Sequence, residues 1–418
     1  MTKARRVSVE ITYEGKNITT PLDQYLTNFS YEDIASGESD RISLNLHDVG
    51  KQWMDGWMPE KGDRVSGDLI LHSWEQDGAE DRLYCGEFEL DEMSFSGRPL
   101  SCSLGAVSIP RNEPFSNQVR TKTWEGITVR QIAEEIAARA SIELHYEAEE
   151  ISIETIEQNG QTDCKFLFSI CEDYGLAMKV YAGKIVIFDE ESYEKKESVR
   201  SIDETDISKW TYRSTMAGTY TGANISYTDP NTEEEHTVLI GGGTRILEIN
   251  EKVDGIKDAE RKGIAKLNNE NKKAVTMDIT MKADLKVLGG TCVDITGLGS
   301  RINGKYYVDK ASFSKSGSGV CQMKLSMHKV VPRIKNVSIA VSEQAAEGGG
   351  GSRSYTVVKG DTLWGIAKRF YGNGREYARI YGANKEIIEN TAKGRGKPDS
   401  SNGHWIFPGT VLVIPEMD

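Results

Sequence analysis

Eight consecutive residues, Ala345-Ala346-Glu347-Gly348-Gly349-Gly350-Gly351-Ser352, do most to limit what this chain can fold into. They offer no side chain able to build a core, and four adjacent glycines leave the backbone free to reorient, so no single core spans them. The sequence predicts at least two bodies, and 418 residues at roughly 150 per domain make the longer one composite. Charge divides at the same place. Residues 353–418 hold ten Lys/Arg against seven Asp/Glu, +3, so that of the total −13 the rest of the chain carries −16. An acidic body of this kind does not grip phosphate backbones by counterion release, and the two bodies are expected to meet different partners. Apolar runs are short and no charged segment leads into one, which predicts neither a membrane span nor a secretion leader. The six cysteines form no C-x-x-C pair and have no histidine at zinc spacing, so they read as reduced, buried thiols in a cytosolic product.

Before the glycine run the chain is mostly strand-like. Val7-Ser8-Val9-Glu10-Ile11-Thr12-Tyr13 and Arg41-Ile42-Ser43-Leu44-Asn45-Leu46 alternate with a period of two, as half-buried antiparallel strands do. Val275, Met277, Ile279 and Met281 line one face of a further strand, and Met178–Tyr181 with Ile185–Phe188 reads as a hairpin turning at Ala182-Gly183-Lys184. Helices are few. Thr128 with Gln131 three residues on makes a capping box, followed by the stripe Val129, Ile132, Ala133, Ile136, Ala137 and Ala140. Two more are expected over about 164–174, with Phe166, Leu167, Ile170, Cys171 and Tyr174 inward and Gly175 as its stop, and over about 257–267. The fold class is therefore α+β, mainly β. A β-rich segment over 1–110, an α/β segment over 111–200 and a second β-rich segment over 201–335 precede a flexible linker at 336–352 and a small module at 353–418.

The module carries the most specific pattern. Tyr355-Thr356-Val357 reads as a strand, Gly360 as a turn, and Asp361 or Thr362 as the cap of a helix whose stripe is Leu363, Ile366, Ala367 and Phe370. Tyr377, Ile380 and Tyr381 mark a second helix, and Val411-Leu412-Val413-Ile414 a returning strand. With Asn384 and Ile406-Phe407-Pro408-Gly409 in place, this β-α-α-β pattern resembles a LysM domain over nearly all of residues 353–418. The resemblance implies a shallow groove for N-acetylglucosamine polymers, peptidoglycan above all. Gly360, Asp361, Thr362 and Leu363 would face Ile406, Phe407, Pro408 and Gly409, with Leu363 and Phe407 against sugar faces. A polar insertion, Lys393 to Trp405, departs from the pattern and borders that groove; a LysM fold used only for docking within an assembly fits as well.

Weaker cues run through the longer body. Gly290-Thr291-Cys292-Val293-Asp294-Ile295-Thr296, then Gly304-Lys305-Tyr306-Tyr307-Val308 and Cys321-Gln322-Met323-Lys324-Leu325, join the Gly62-Asp63 turn and Thr123-Trp124-Glu125-Gly126-Ile127-Thr128. Over residues 5–335 this resembles the central baseplate hub of contractile phage tails, the late control protein D-like family also met in tail-derived bacteriocins and type VI spikes. The resemblance implies two related tube-like β-barrel domains bracketing the α/β domain. It also implies a homotrimer closing a pseudo-six-fold ring, with tail tube, spike, tape-measure and baseplate wedge proteins as partners. It places the chain in a virion or tail-particle baseplate assembled in the bacterial cytoplasm, with no membrane partner and no sequence-specific nucleic acid. Carboxylates lining such a lumen would let nucleic acid pass, though they would equally solvate an outer surface.

Enzyme-like fragments read as structure. Gly297-Leu298-Gly299 lacks the third glycine and the helix of a dinucleotide loop, and Cys164 is followed by Lys165 with no histidine base before His236. The six histidines show no H-E-x-x-H, and 64 acids define no particular pair for glycan hydrolysis. Trp53, Met54, Trp57 and Met58, spaced as one helical face, are expected in the core. The reading is a structural protein, not an enzyme, with no cofactor and no metal; a wall hydrolase with an unrecognised catalytic domain and a carbohydrate-binding adhesin are the alternatives.

Overall fold

Alternation builds the central sheet of the first unit: in Arg6–Tyr13, Val7, Val9 and Ile11 are buried between more exposed neighbours, and Arg41–His47 repeats the pattern. The computed structural model describes residues 4–74, 76–108, 113–216, 218–228, 235–251, 253–317, 320–342, 353–358 and 361–415. The chain divides into two units, Met1–Ser342 and Glu343–Asp418, and the fold is mainly β.

In the large sheet the strands run in the order Ile207–Ser214, Val275–Lys282, Cys321–Lys329, Gly304–Ser316, Leu26–Ile34, Arg41–His47, Ser101–Val107, Glu80–Ser96, Arg64–His72, Arg6–Tyr13 and Lys16–Asn17. Cys292–Thr296 branches from Gly304–Ser316 and carries Arg200–Asp203 in parallel. The central joint is the antiparallel pair of Gly304–Ser316 with Leu26–Ile34, from Lys310 opposite Ile34 to Ser316 opposite Asn28. Strands separated by nearly the whole unit in sequence are therefore neighbours. One buried cluster runs through both halves, with Phe29, Leu69 and Phe88 on one side and Met277, Tyr306 and Leu325 on the other. Tyr31 and Phe313, opposite each other across the joint, stack with ring centroids 6.1 Å apart.

The mixed segment has its own core. Val129–Ala140 is capped as its sequence requires: Thr128 Oγ1 accepts from the Gln131 N–H at 3.2 Å, the Thr128 N–H donates to Gln131 Oε1 at 3.0 Å, and the six stripe residues are its buried ones. Asp163–Asp173 buries Cys164, Phe166, Leu167, Ile170 and Cys171. The hairpin Leu176–Tyr181 with Lys184–Asp189 turns through Ala182 and Gly183, both at positive φ.

A further sheet, in the order Ile246–Ile249, Gly222–Thr228, Glu235–Gly241, Val337–Ser342, packs on the helix Ile256–Lys272 around Ala223, Ile225, Val238 and Ile240. Gly263 lets the helix lie close to the sheet there: a Cβ at this position would lie 2.3 Å from Ile240 Cδ1, so Ile240 would have to shift. Two expectations are corrected. The linker does not begin at 336: Val337–Ser342 is a strand laddered to Glu235–Gly241, because alternation continues to Ser342 and a paired edge is available; residues 343–352 lie outside the described ones. Residues 53–57 form turns, not a helix, with Gly56 and Pro59 breaking the spacing. Trp53 is buried, while Trp57 and Met58 are half exposed. Both tryptophans line an apolar cavity of about 400 Å³ with Ile11, Leu44 and Leu90.

In the second unit Arg353–Thr356 pairs antiparallel with Val411–Ile414. Between them come Leu363–Tyr371, Tyr377–Ala383 and Lys385–Gly394, the last a helix beyond the two expected. Leu363, Ile366, Ala367, Ile380, Ile388 and Leu412 make the core.

Candidate functional site

The two loops that the sequence pairs in a groove are held side by side by Val357, whose N–H donates to the Thr410 carbonyl at 2.9 Å and whose carbonyl accepts from the Gly409 N–H at 2.8 Å. Asp361 Oδ2 accepts from the Tyr355 hydroxyl and the Val358 N–H, both at 2.8 Å, so this carboxylate shapes the turn. Thr362 caps the first helix by accepting from the Gly365 N–H at 3.0 Å. Asn384 is buried and clamps the returning strand: its amide nitrogen donates to the Val413 carbonyl and its oxygen accepts from the Val413 N–H, each at 2.6 Å. Ile406 and Phe407 are half-buried and Pro408 and Gly409 exposed. Gly360 lies outside the described residues. Leu363 departs from the expectation: it is only 2% exposed, because it belongs to the helix's inner stripe, so its side chain does not face the groove.

The insertion is folded onto the module. Glu389 accepts from the Ser400 hydroxyl, the Tyr381 hydroxyl and the Ser400 N–H, and these bonds pull its carboxyl down to about 2. Gly403, at φ +81°, presses so close to Leu363 and Tyr381 that a Cβ would lie 2.3 Å from Leu363 Cδ1. Outward from these anchors the Arg395 guanidinium lies 5.2 Å from the Phe407 ring and Lys397 Nζ lies 4.2 Å from the Trp405 ring. The chain displays the insertion but not its anchoring, because only the fold brings Glu389, Ser400 and Gly403 to their partners.

Two buried charge clusters join the parts of the first unit, and neither was visible in the sequence. Lys179 reaches both Asp33 and Asp40, 3.0 Å from the latter, while Asp33 accepts from the Gly289 N–H and Asp40 from the Ile34 N–H. Burial pushes Asp40 up to about 7, with Lys179 opposing and Asp33 adding to the shift. In the second cluster Glu194 accepts from Arg333 at 2.7 Å and lies 3.3 Å from His328, whose other ring nitrogen is 2.7 Å from Asp309. Glu190 pairs with Lys272 and Arg333. Burial opposes a charge on His328, yet Asp309 and Glu194 hold it up at about 9; burial also works against Glu194, yet bonds from His328 and Arg333 hold it down at about 2. Every carboxylate here is matched by cations or amides, the arrangement of a clamp.

All six cysteines are buried and none forms a disulfide. Burial pushes Cys102 and Cys292 up to about 11 and Cys321 to about 12, which disfavours the thiolate. No group of three His, Cys, Asp or Glu side chains suited to a metal occurs among the described residues, and no helix among them is long and apolar enough to cross a membrane.

Comparison with known proteins fits this geometry. The LysM domain family matches residues 355–391. The chain is 43% identical over 65 residues to the uncharacterized protein YqbP of Bacillus subtilis, covering 15% of this chain and 28% of that one. It is 35% identical over 105 residues to the potassium binding protein Kbp of Escherichia coli, covering 24% and 61%. It is 23% identical over 179 residues to the probable baseplate hub protein of Escherichia phage 186, covering 42% and 43%. It thus spans between 28% and 61% of the length of these relatives. Among solved structures, the tail protein of Neisseria meningitidis MC58 superposes with a TM-score of 0.59 at 14% identity, covering 78% of this chain and 97% of that one. The 43 kDa tail protein of prophage MuSo2 from Shewanella oneidensis gives 0.56 at 14%, covering 77% and 96%. The class is therefore the phage tail protein fold. More particularly, that fold belongs to the first unit, while residues 355–391 of the second match the LysM domain family.

Proposed function

We propose that this chain is a structural baseplate hub of a contractile phage tail or tail-like particle, and not an enzyme. The observation that carries the reading is the joint between Leu26–Ile34 and Gly304–Ser316, which sets two β halves side by side in one sheet. Three such chains would present six β halves around an axis, matching a six-fold tube on one face and a three-fold spike on the other. The buried clusters at Lys179 and His328 suit this task, since they fix the mixed segment against both halves. Partners would be the tail tube, spike, tape-measure and wedge proteins, and the site of action the particle's baseplate, assembled in the bacterial cytoplasm.

The LysM domain would bind N-acetylglucosamine polymer of the cell wall in a groove formed by Asp361, Thr362 and the Leu363 backbone against Ile406, Phe407, Pro408 and Gly409. Three tethered copies on a trimer would turn weak sites into useful avidity where they engage together. Light scattering on the full chain and on residues 1–342 tests the hub: a trimer in both is expected. Monomers in both, persisting when tail tube protein is added, would overturn it.

A further inference from the structure

We infer that Lys179 and Asp33 condense into an internal isopeptide bond, a covalent cross-link between the mixed segment and the central joint, with Asp40 as the proton relay. The first argument is the make-up of the cluster. The Lys179 ammonium touches the carboxylates of both Asp33 and Asp40, and the three side chains are 13%, 5% and 0% exposed. Two carboxylates against one ammonium leave a surplus negative charge out of water, which is costly. Condensation of the pair removes one charge of each sign from the site. Burial pushes Asp40 up to about 7, so near neutral pH it can both take and give a proton. Burial works against the charge on Lys179 while Asp33 and Asp40 hold it up, so its amine is freed as a proton passes to a carboxylate within the cluster.

The second argument is placement. Asp33 belongs to Leu26–Ile34 and Lys179 to Leu176–Tyr181. The Met178 N–H donates to Ser36 Oγ at 3.0 Å and the Met178 carbonyl accepts from the Gly37 N–H at 3.3 Å, which ties the residue before Lys179 to the chain just beyond Asp33. Asp33 Oδ2 accepts from the Gly289 N–H at 2.8 Å, leaving Oδ1 on Lys179. Gly289 approaches this closely without a side chain; a Cβ there would lie 2.8 Å from the Asp33 carbonyl oxygen. Asp40 is fixed by the Ile34 N–H at 2.9 Å through Oδ1 and presents Oδ2 to Lys179 Nζ at 3.0 Å. Nucleophile, acceptor and relay are thus held together before any reaction, which replaces a bimolecular encounter. The Gly289 N–H stands where negative charge develops on Oδ2 during attack. The second cluster differs: Glu190, Glu194 and Asp309 meet Lys272, Arg333 and His328, three acids with three cations. Burial works against the charge on Glu190, yet Lys272, His328 and Arg333 hold its carboxyl low, so beside Lys272 it stays an unreactive carboxylate.

The step balances without a co-reactant. Lys179 Nζ gives up a proton to Asp40 and attacks Asp33 Cγ. The Nζ–Cγ bond forms and the Cγ–Oδ1 bond breaks. Oδ1 leaves as water with two of the three ammonium protons, passed on through Asp40, and the third stays on the amide nitrogen. Asp40 ends as it began, and residues 33 and 179 are joined by a link that salt and denaturant do not open.

The test is mass spectrometry of the full chain, purified folded at neutral pH and then denatured. The expected intact mass is one water below that of the sequence. A tryptic digest is expected to leave Lys179 uncut, with residues 166–184 joined to residues 17–41 and the branch at Asp33 on fragmentation. Lys179→Arg keeps the charge but offers no amine nucleophile, and is expected to restore the full mass. Asp40→Asn is expected to do the same for want of a relay, with cooperative urea unfolding as the check that it folds. A native chain at its full sequence mass and cut at Lys179 would overturn the inference and leave a buried ion pair. A branch at Asp40 would overturn the choice of acceptor, and a cross-link that still forms in the Asp40→Asn chain would overturn the relay.

Discussion

His328 lies between Asp309 and Glu194, with Glu190, Arg333 and Lys272 completing the charged surroundings and the Tyr307 ring centroid 5.2 Å away. Its ionisation is held up at about 9 from an ordinary 6.5, so protonation and folding assist one another. The stability this adds is complete below the ordinary value and drains away as the pH rises through 9. Glu194 has the opposite sign: held down at about 2, its contribution is complete above 4.5 and lost as acid approaches 2. The cluster is therefore firmest between those limits. His328→Gln is expected to lower stability by on the order of 3 kcal/mol near neutral pH or below, with the deficit shrinking toward about pH 10. Urea midpoints of the two proteins across that range measure it, and a deficit independent of pH would assign His328 to packing alone. None of this was legible in the chain, where His328 is one of six isolated histidines and its partners are drawn from 64 acids. Only the folded backbone brings residues 190–194, 309 and 328–333 together.

Elements were legible where their determinants are local. The helix Val129–Ala140 carries its start signal at Thr128 and Gln131 and its inner face in its own spacing, and the hairpin at Ala182-Gly183 carries its turn. The LysM motif was legible for the same reason, since its loops, caps and strands fall within one short stretch. What alternation cannot give is the partner. Leu26–Ile34 announces which side it buries, but nothing in it names Gly304–Ser316 as its neighbour, and Val337–Ser342 is recognised as a strand only once Glu235–Gly241 offers an edge. The joint makes a direct prediction. Ser312 lies opposite both Lys324 and Glu32, so Ser312→Pro removes an N–H and strains a strand paired on both sides. Because one core runs through both halves, amide exchange is expected to accelerate in Arg41–His47 as well as in Val275–Lys282. Acceleration confined to Val275–Lys282 would mean that the halves fold independently and meet only as preformed pieces.

At the scale of the whole molecule the chain divides into two units, Met1–Ser342 and Glu343–Asp418. Among the described residues the buried clusters of the first unit end at Val337, and that of the second begins at Tyr355. A module with its own core, its own two-stranded sheet and an internal clamp at Asn384 has no need of the first unit to fold. Calorimetry of the full chain is therefore expected to resolve two transitions. Removing residues 343–418 is expected to delete one and leave the other within about half a degree, since a change of 1 kcal/mol would move it by roughly 1–2 °C in a unit of the size of Met1–Ser342. This independence bears on function as well as folding. If the hub must close a ring while the LysM domains search a wall, a load on the tether should not strain the joint between the β halves, and a glycine run transmits little force until it is extended. A larger shift on truncation would show that the second unit stabilises the first.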